Sequence, residues 1–268
     1  MEIVTSEFFQ RALIGGLLIG ITAPLMGFFL VLRRLSMIGD TLSHVAIAGV
    51  ALGFIVGVYP IAMGLLFAIA ASFAIEKLRK AYKAYAELSL AIIMAGGIGL
   101  ASILFTAGDS MMDVNSYLFG SIYTLDNVDL YTIGGVTAVV LIVIISQSKE
   151  LFLITFDEEA ASVSGLPVRF YNVMISVLTA LVISVAIKIV GALLVSALLT
   201  IPAACSLIIA RSFKQSLMTV IAIGEFAVIA GLLIAGVWNL APGGTIVLLL
   251  IALLLILLLV RRGFRLGG

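Results

Sequence analysis

His44 is the chain's single histidine, and Asp40 stands four residues before it in GDTLSH. On a helix this spacing projects both side chains from one face, with Cβ atoms about 5–6 Å apart. They can share one ligand. A second carboxylate, Glu225, interrupts the apolar run VIAIGEFAVIAG. An imidazole and two carboxylates suit a divalent transition metal, since both donor types bind zinc and manganese. Plainer roles fit the same residues: His44 can relay protons or hydrogen-bond Asp40, and Glu225 can join them only if helix packing turns it their way. Cys205 is the single cysteine and lies in an apolar run, so the chain has neither an internal disulfide nor a cysteine-rich metal site.

The elements that must hold these residues are membrane helices. Of 268 residues, 63% are hydrophobic and 11% charged, against roughly 45–50% and about 25% in soluble domains. This excludes a soluble globular chain. Fifteen basic and fourteen acidic residues leave a net charge of +1, so no bulk field favours nucleic acid or another polyanion. Hydropathy predicts an all-α, polytopic bundle of eight or nine spans, placed near 9–32, 38–58, 60–76, 88–106, 129–147, 171–189, 191–210, 215–237 and 243–260. The first is expected to be a retained span, because Glu2, Glu7 and Arg11 precede it instead of a basic leader.

Charge position orients the bundle. Arg33, Arg34, Lys77, Arg79, Lys80, Lys83, Lys149, Arg169, Arg211, Lys214, Arg261, Arg262 and Arg265, 13 of the 15 basic residues, fall in alternate gaps. The intervening gaps hold Asp109, Asp113, Asp126 and Asp129 or uncharged turns. The excess of positive charge marks the cytoplasmic side, which puts the N-terminus outside and the C-terminus inside. Arg11 opens the first helix, and Lys188, near the outer end of the sixth, is expected to snorkel. Counted from Arg34 at about 1.5 Å per residue, Asp40 lies roughly 9 Å and His44 roughly 15 Å into a ~30 Å core. Glu225, counted from Lys214, lies at about 16 Å. Gly49, Gly53 and Gly57 recur at four-residue spacing, as in tightly packed membrane helices.

Two gaps are too long for simple turns, roughly 107–128 outside and 148–170 inside. The inner one contains DEEAASVSGLP, with an acidic start, small residues and a Gly-Leu-Pro stop, which reads as a short docking helix or an ordinary polar loop. No GxxxxGK[ST], HExxH or GxSxG occurs, which argues against a built-in nucleotide site, a zinc protease and a serine hydrolase. An intramembrane enzyme would have to set His44 beside a serine such as Ser43 or Ser196. A proton-coupled secondary cation transporter could use the same Asp40–His44 face.

RRLSMIGDTLSHVAIAGVALGF, DEEAASVSGLP and KIVGALLVSALLTIPAA, in that order, resemble the ABC-3 family of integral-membrane permeases from bacterial importers of zinc and manganese. The likeness covers nearly the whole chain and is greatest to the zinc permeases. It implies one transmembrane permease domain over 1–268 with a type II ABC importer-like fold in the bacterial inner membrane. It also implies a homodimer within the lipid, two cytoplasmic ATP-binding subunits, an extracytoplasmic metal-binding protein, and no nucleic-acid partner. No intrinsic cofactor is expected; zinc, or else manganese or iron, is the transported ion. The family's metal-contacting residues fall on Asp40 and His44, and less securely on Glu225. Its ATPase-coupling helix falls within about 155–168, with Asp157, Glu158, Ala161 and Gly165 at its core. Pro202 could kink the seventh helix and free carbonyls toward the path.

Overall fold

The computed structural model describes residues 6–82, 85–108 and 114–266. Glu2, named above before the first span, and Lys83, Asp109 and Asp113, counted among the charges that orient the chain, lie outside them. The chain is built from helices: α1 (Glu7–Leu32), α2 (Met37–Val56), α3 (Pro60–Ala81), α4 (Ala86–Ala107), α5 (Val114–Phe119), α6 (Asn127–Ser146), α7 (Ser148–Phe156), α8 (Glu158–Val163), α9 (Val168–Val190), α10 (Val195–Ile209), α11 (Phe213–Trp238) and α12 (Pro242–Leu266). Among the described residues eight of these are long and apolar enough to cross a membrane, and α10 is a shorter apolar helix.

α1 and α9 form the centre, with 72% and 78% of their spans buried, whereas α4 and α12 reach 22% and 17%. Packing of this depth requires missing side chains. A Cβ at Gly27 would stand 1.8 Å from the Leu199 carbonyl oxygen, which fixes the approach of α1 to α10. Gly224 of α11 meets Pro24 and the Gly20 carbonyl of α1 in the same way. Gly49 and Gly53 face α3, as the spacing predicts. Gly57 does something else: it ends α2 in the left-handed conformation, φ +73°, with nothing near it.

Where the sequence predicts a helix over 191–210, the structure begins it at Val195. Gly191 has φ +91°, and the amides of Ala192 and Leu193 bond the carbonyls of Tyr117 and Leu118 at 2.9 and 3.2 Å. The Ser121 amide returns a bond to the Lys188 carbonyl at 3.1 Å. Tertiary pairing has replaced the first helical turn, and hydropathy cannot register that exchange. The other end of α10 is tied to α11 by Ser206 Oγ, which donates to the Ser216 carbonyl at 3.0 Å. Pro202 lies within α10 as expected, and Pro24 interrupts the ladder of α1 as well.

Candidate metal site and its couplings

Asp40 sits in the first turn of α2 and His44 one turn later. Their side chains, 33% and 19% exposed, face each other with His44 Nε2 3.9 Å from Asp40 Oδ1. That gap is too long for a hydrogen bond. An ion with ligand distances near 2.0–2.2 Å spans it with little side-chain movement. The face they share is open at Met37, 50% exposed, and closes beyond His44, where Ile47, Ala48 and Ala51 are buried. Ser43 is no partner for a basic His44, because its hydroxyl is engaged by the Gly39 carbonyl at 2.8 Å.

Glu225 is set elsewhere. It packs against α1 at Gly20, and its Oε1 is enclosed without a hydrogen-bond partner. Pro24 lacks an amide hydrogen, so the Gly20 carbonyl loses its helical donor beside this carboxylate. The structure therefore joins Asp40 to His44 and leaves Glu225 against the break in α1. Among the described residues no three His, Cys, Asp or Glu side chains converge on one ion.

The residues expected to form the coupling segment divide by role. Asp157 caps α8, accepting from the Ala160 amide at 2.8 Å. Ala161 is buried, and Gly165 turns the chain at φ +83°. These three shape the helix. Glu158 reaches inward to Arg33 at 3.4 Å and to Asn172 at 3.3 Å. The most exposed apolar side chain of α8 is Val163, 90% exposed, which sequence motifs did not single out. Burial pushes the Arg33 guanidinium below its usual value, and Glu158 opposes that shift.

Lys188 does not snorkel. Its ammonium turns inward to the buried Asp129 carboxylate, which also accepts from the Tyr59 hydroxyl and, at 2.9 Å, from the Asp126 amide. The reason is local: Asp129 completes a capping box with Asp126 at the start of α6, so a fixed carboxylate is already in reach. Burial, followed by the Asp129 hydrogen bond and charge, raises the Tyr59 phenol above its ordinary value and holds it neutral as a donor. The Asp129 amide keeps Asp126 below the usual carboxylate range. Only the i,i+3 spacing of Asp126 and Asp129 signalled this cluster in the sequence.

Comparison with known proteins agrees with this architecture. Residues 5–261 match the ABC 3 transport family. The chain is 34% identical over 242 residues to the manganese import system permease protein ScaB of Streptococcus gordonii, covering 90% of this chain and 87% of that one. A probable metal transport system membrane protein of Treponema pallidum is 31% identical, with 90% and 91% covered. Among solved structures, PsaBC from Streptococcus pneumoniae in complex with Fab matches with a TM-score of 0.89 at 31% identity, covering 100% of this chain and 99% of that chain. The first of these relatives is named as an import permease and the second as a transport-system membrane protein. With nearly its whole length matched in sequence and in helical arrangement, the chain belongs to the ABC 3 transport family.

Proposed function

We propose that this chain is the membrane-spanning subunit of an ATP-driven importer of a divalent transition metal, with manganese as the preferred ion. The carrying observation is the Asp40–His44 pair, 3.9 Å apart on a partly open face of a membrane helix. Ionisable side chains at that depth are costly and mark pathways. The likeness to zinc permeases led to an expectation of zinc; the relatives named for manganese support manganese instead. The donor set is compatible, because imidazole and carboxylate serve manganese and Cys205, buried on α10, adds no thiolate.

Two copies surround one path in the bacterial cell membrane, each giving its Asp40–His44 pair to the ion. This doubles the two ligands that the described residues of one chain bring together, while Glu225 remains a secondary candidate at the α1–α11 contact. Two cytoplasmic ATP-binding subunits bear on the segment around Asp157, Glu158, Ala161 and Gly165, and an extracytoplasmic metal-binding protein delivers the ion. With the N-terminus outside and the C-terminus inside, the open end of the Asp40–His44 face looks to the cytoplasm and the buried Ile47–Ala51 stretch closes the outer side. Alternating access then requires that stretch to open when the partner subunits bind ATP.

The test is uptake of manganese and zinc into vesicles holding the chain with its ATP-binding subunit and binding protein. ATP-dependent uptake that collapses in Asp40→Asn and in His44→Ala, with assembly intact, is the expected result. Uptake that persists without ATP and follows a proton gradient would overturn the reading in favour of a secondary transporter.

A further inference from the structure

Arg33 closes α1, and its side chain is 5% exposed although it carries a full charge at the cytoplasmic end of the bundle. One nitrogen, Nη2, donates both to Asn172 Oδ1 at 2.5 Å and to Glu158 Oε2 at 3.4 Å. Asn172 Nδ2 in turn donates to the other Glu158 oxygen at 3.3 Å. Three elements therefore meet on one guanidinium: the end of α1, the first residue of α8, and the second turn of α9. The opposite nitrogen, Nη1, is enclosed without a partner. A buried donor left unpaired is costly, while Nη2 alone carries both contacts, the one to Asn172 much shorter than the one to Glu158.

The backbone that follows Arg33 is stiff. The Arg34 amide bonds the Val31 carbonyl at 3.0 Å and the Leu35 amide bonds the Leu30 carbonyl at 2.8 Å. Together they form a Schellman turn with Arg34 at φ +57°. The Ile38 amide then bonds Leu35 at 3.0 Å and the Gly39 amide bonds Ser36 at 3.3 Å, so α2 starts without slack. Asp40 is the next residue.

Resting on the importer reading above, we propose that Arg33 is a positioning residue that carries displacement of α8 through the α1–α2 turn to the Asp40–His44 pair. Movement of Glu158 pulls or releases Arg33; the hydrogen-bonded turn transmits this to the first turn of α2; the pair then widens or narrows around the ion. Arg33 touches no metal. Its contribution is the coupling between ATP hydrolysis and ion release.

The experiment uses the full reconstituted complex and reads three quantities separately: co-purification of the ATP-binding subunit, ATP hydrolysis, and Mn2+ moved per ATP. Arg33→Met is expected to assemble and hydrolyse ATP while the ions moved per ATP fall about tenfold, the size of a typical coupling between sites. Arg33→Lys should recover part of the ratio by keeping the charge. Asn172→Leu, which leaves Arg33 in place, should lower the ratio in the same direction if Arg33→Met fails to assemble. Because both act in one relay, Arg33→Met with Glu158→Gln should be no worse than the poorer single variant. A merely structural arginine would lower assembly and leave the ratio of the assembled fraction unchanged, which overturns the relay alone. A wild-type complex that moves neither Mn2+ nor Zn2+ under ATP overturns the relay and the importer reading together.

Discussion

Replacing Lys188 with methionine removes the one cationic donor of a fully buried carboxylate while keeping an apolar side chain in its place. Breaking a buried ion pair from one side destabilises by about 3–5 kcal/mol, because the remaining charge is stranded. Asp129 keeps two neutral donors, the Tyr59 hydroxyl and the Asp126 amide, so the expected loss is at the lower end, about 3 kcal/mol. Asp129→Asn should lose about as much by stranding the ammonium, yet the amide oxygen still accepts a hydrogen bond. The double variant Lys188→Met with Asp129→Asn removes both charges and should be no less stable than either single one, giving a coupling energy of at least about 3 kcal/mol. Denaturant titration of the purified protein in detergent, followed by tryptophan fluorescence, measures all four proteins, with Trp238 as the chain's single reporter. If Lys188→Met unfolds at the wild-type midpoint, or if the double variant falls by the sum of the singles, the three-donor account of this cluster is wrong.

Arg34→Gly should stabilise by up to about 1 kcal/mol, since glycine adopts φ +57° without the Cβ penalty; an equal or lower unfolding free energy would contradict that. Gly27→Ala places a Cβ 1.8 Å from a backbone carbonyl and should abolish correct packing, whereas Gly96→Ala, mid-helix with nothing within 4 Å, should keep the yield and raise the melting midpoint slightly. Comparing the two separates the interlocked face of α1 from the open face of α4.

Legibility tracked the physics of each feature. The membrane helices were readable because transfer of apolar residues to lipid is a property of local composition. The Asp40–His44 pair was readable because helical periodicity links residues four apart without reference to the rest of the fold. Glu225 shows the limit: its depth could be counted, but its direction depends on which neighbour α11 meets, and the meeting partner is the Pro24–Gly20 break in α1. Lys188 shows the same limit from the other side. Its position near an interface suggested snorkelling, and the buried partner 59 residues away reversed its direction. Arg33, counted as one more cytoplasmic charge, is almost wholly enclosed for the same reason.

The irregular stretch before α10 has a consequence for protection from solvent. α10 is 15 residues long, about 22 Å, against a hydrocarbon core of about 30 Å. At its N-terminal end residues 117–121 and 188–194 bond one another through their amides and carbonyls. Irregular backbone persists at such depth only where protein shields it. Its amides should therefore exchange with deuterium as slowly as those of the flanking helices, and proteases should pass it by, although it has the outline of a loop. Two segments of chain are tied to each other there through their backbones, and loosening that tie would expose their amides while the long helices stay wound.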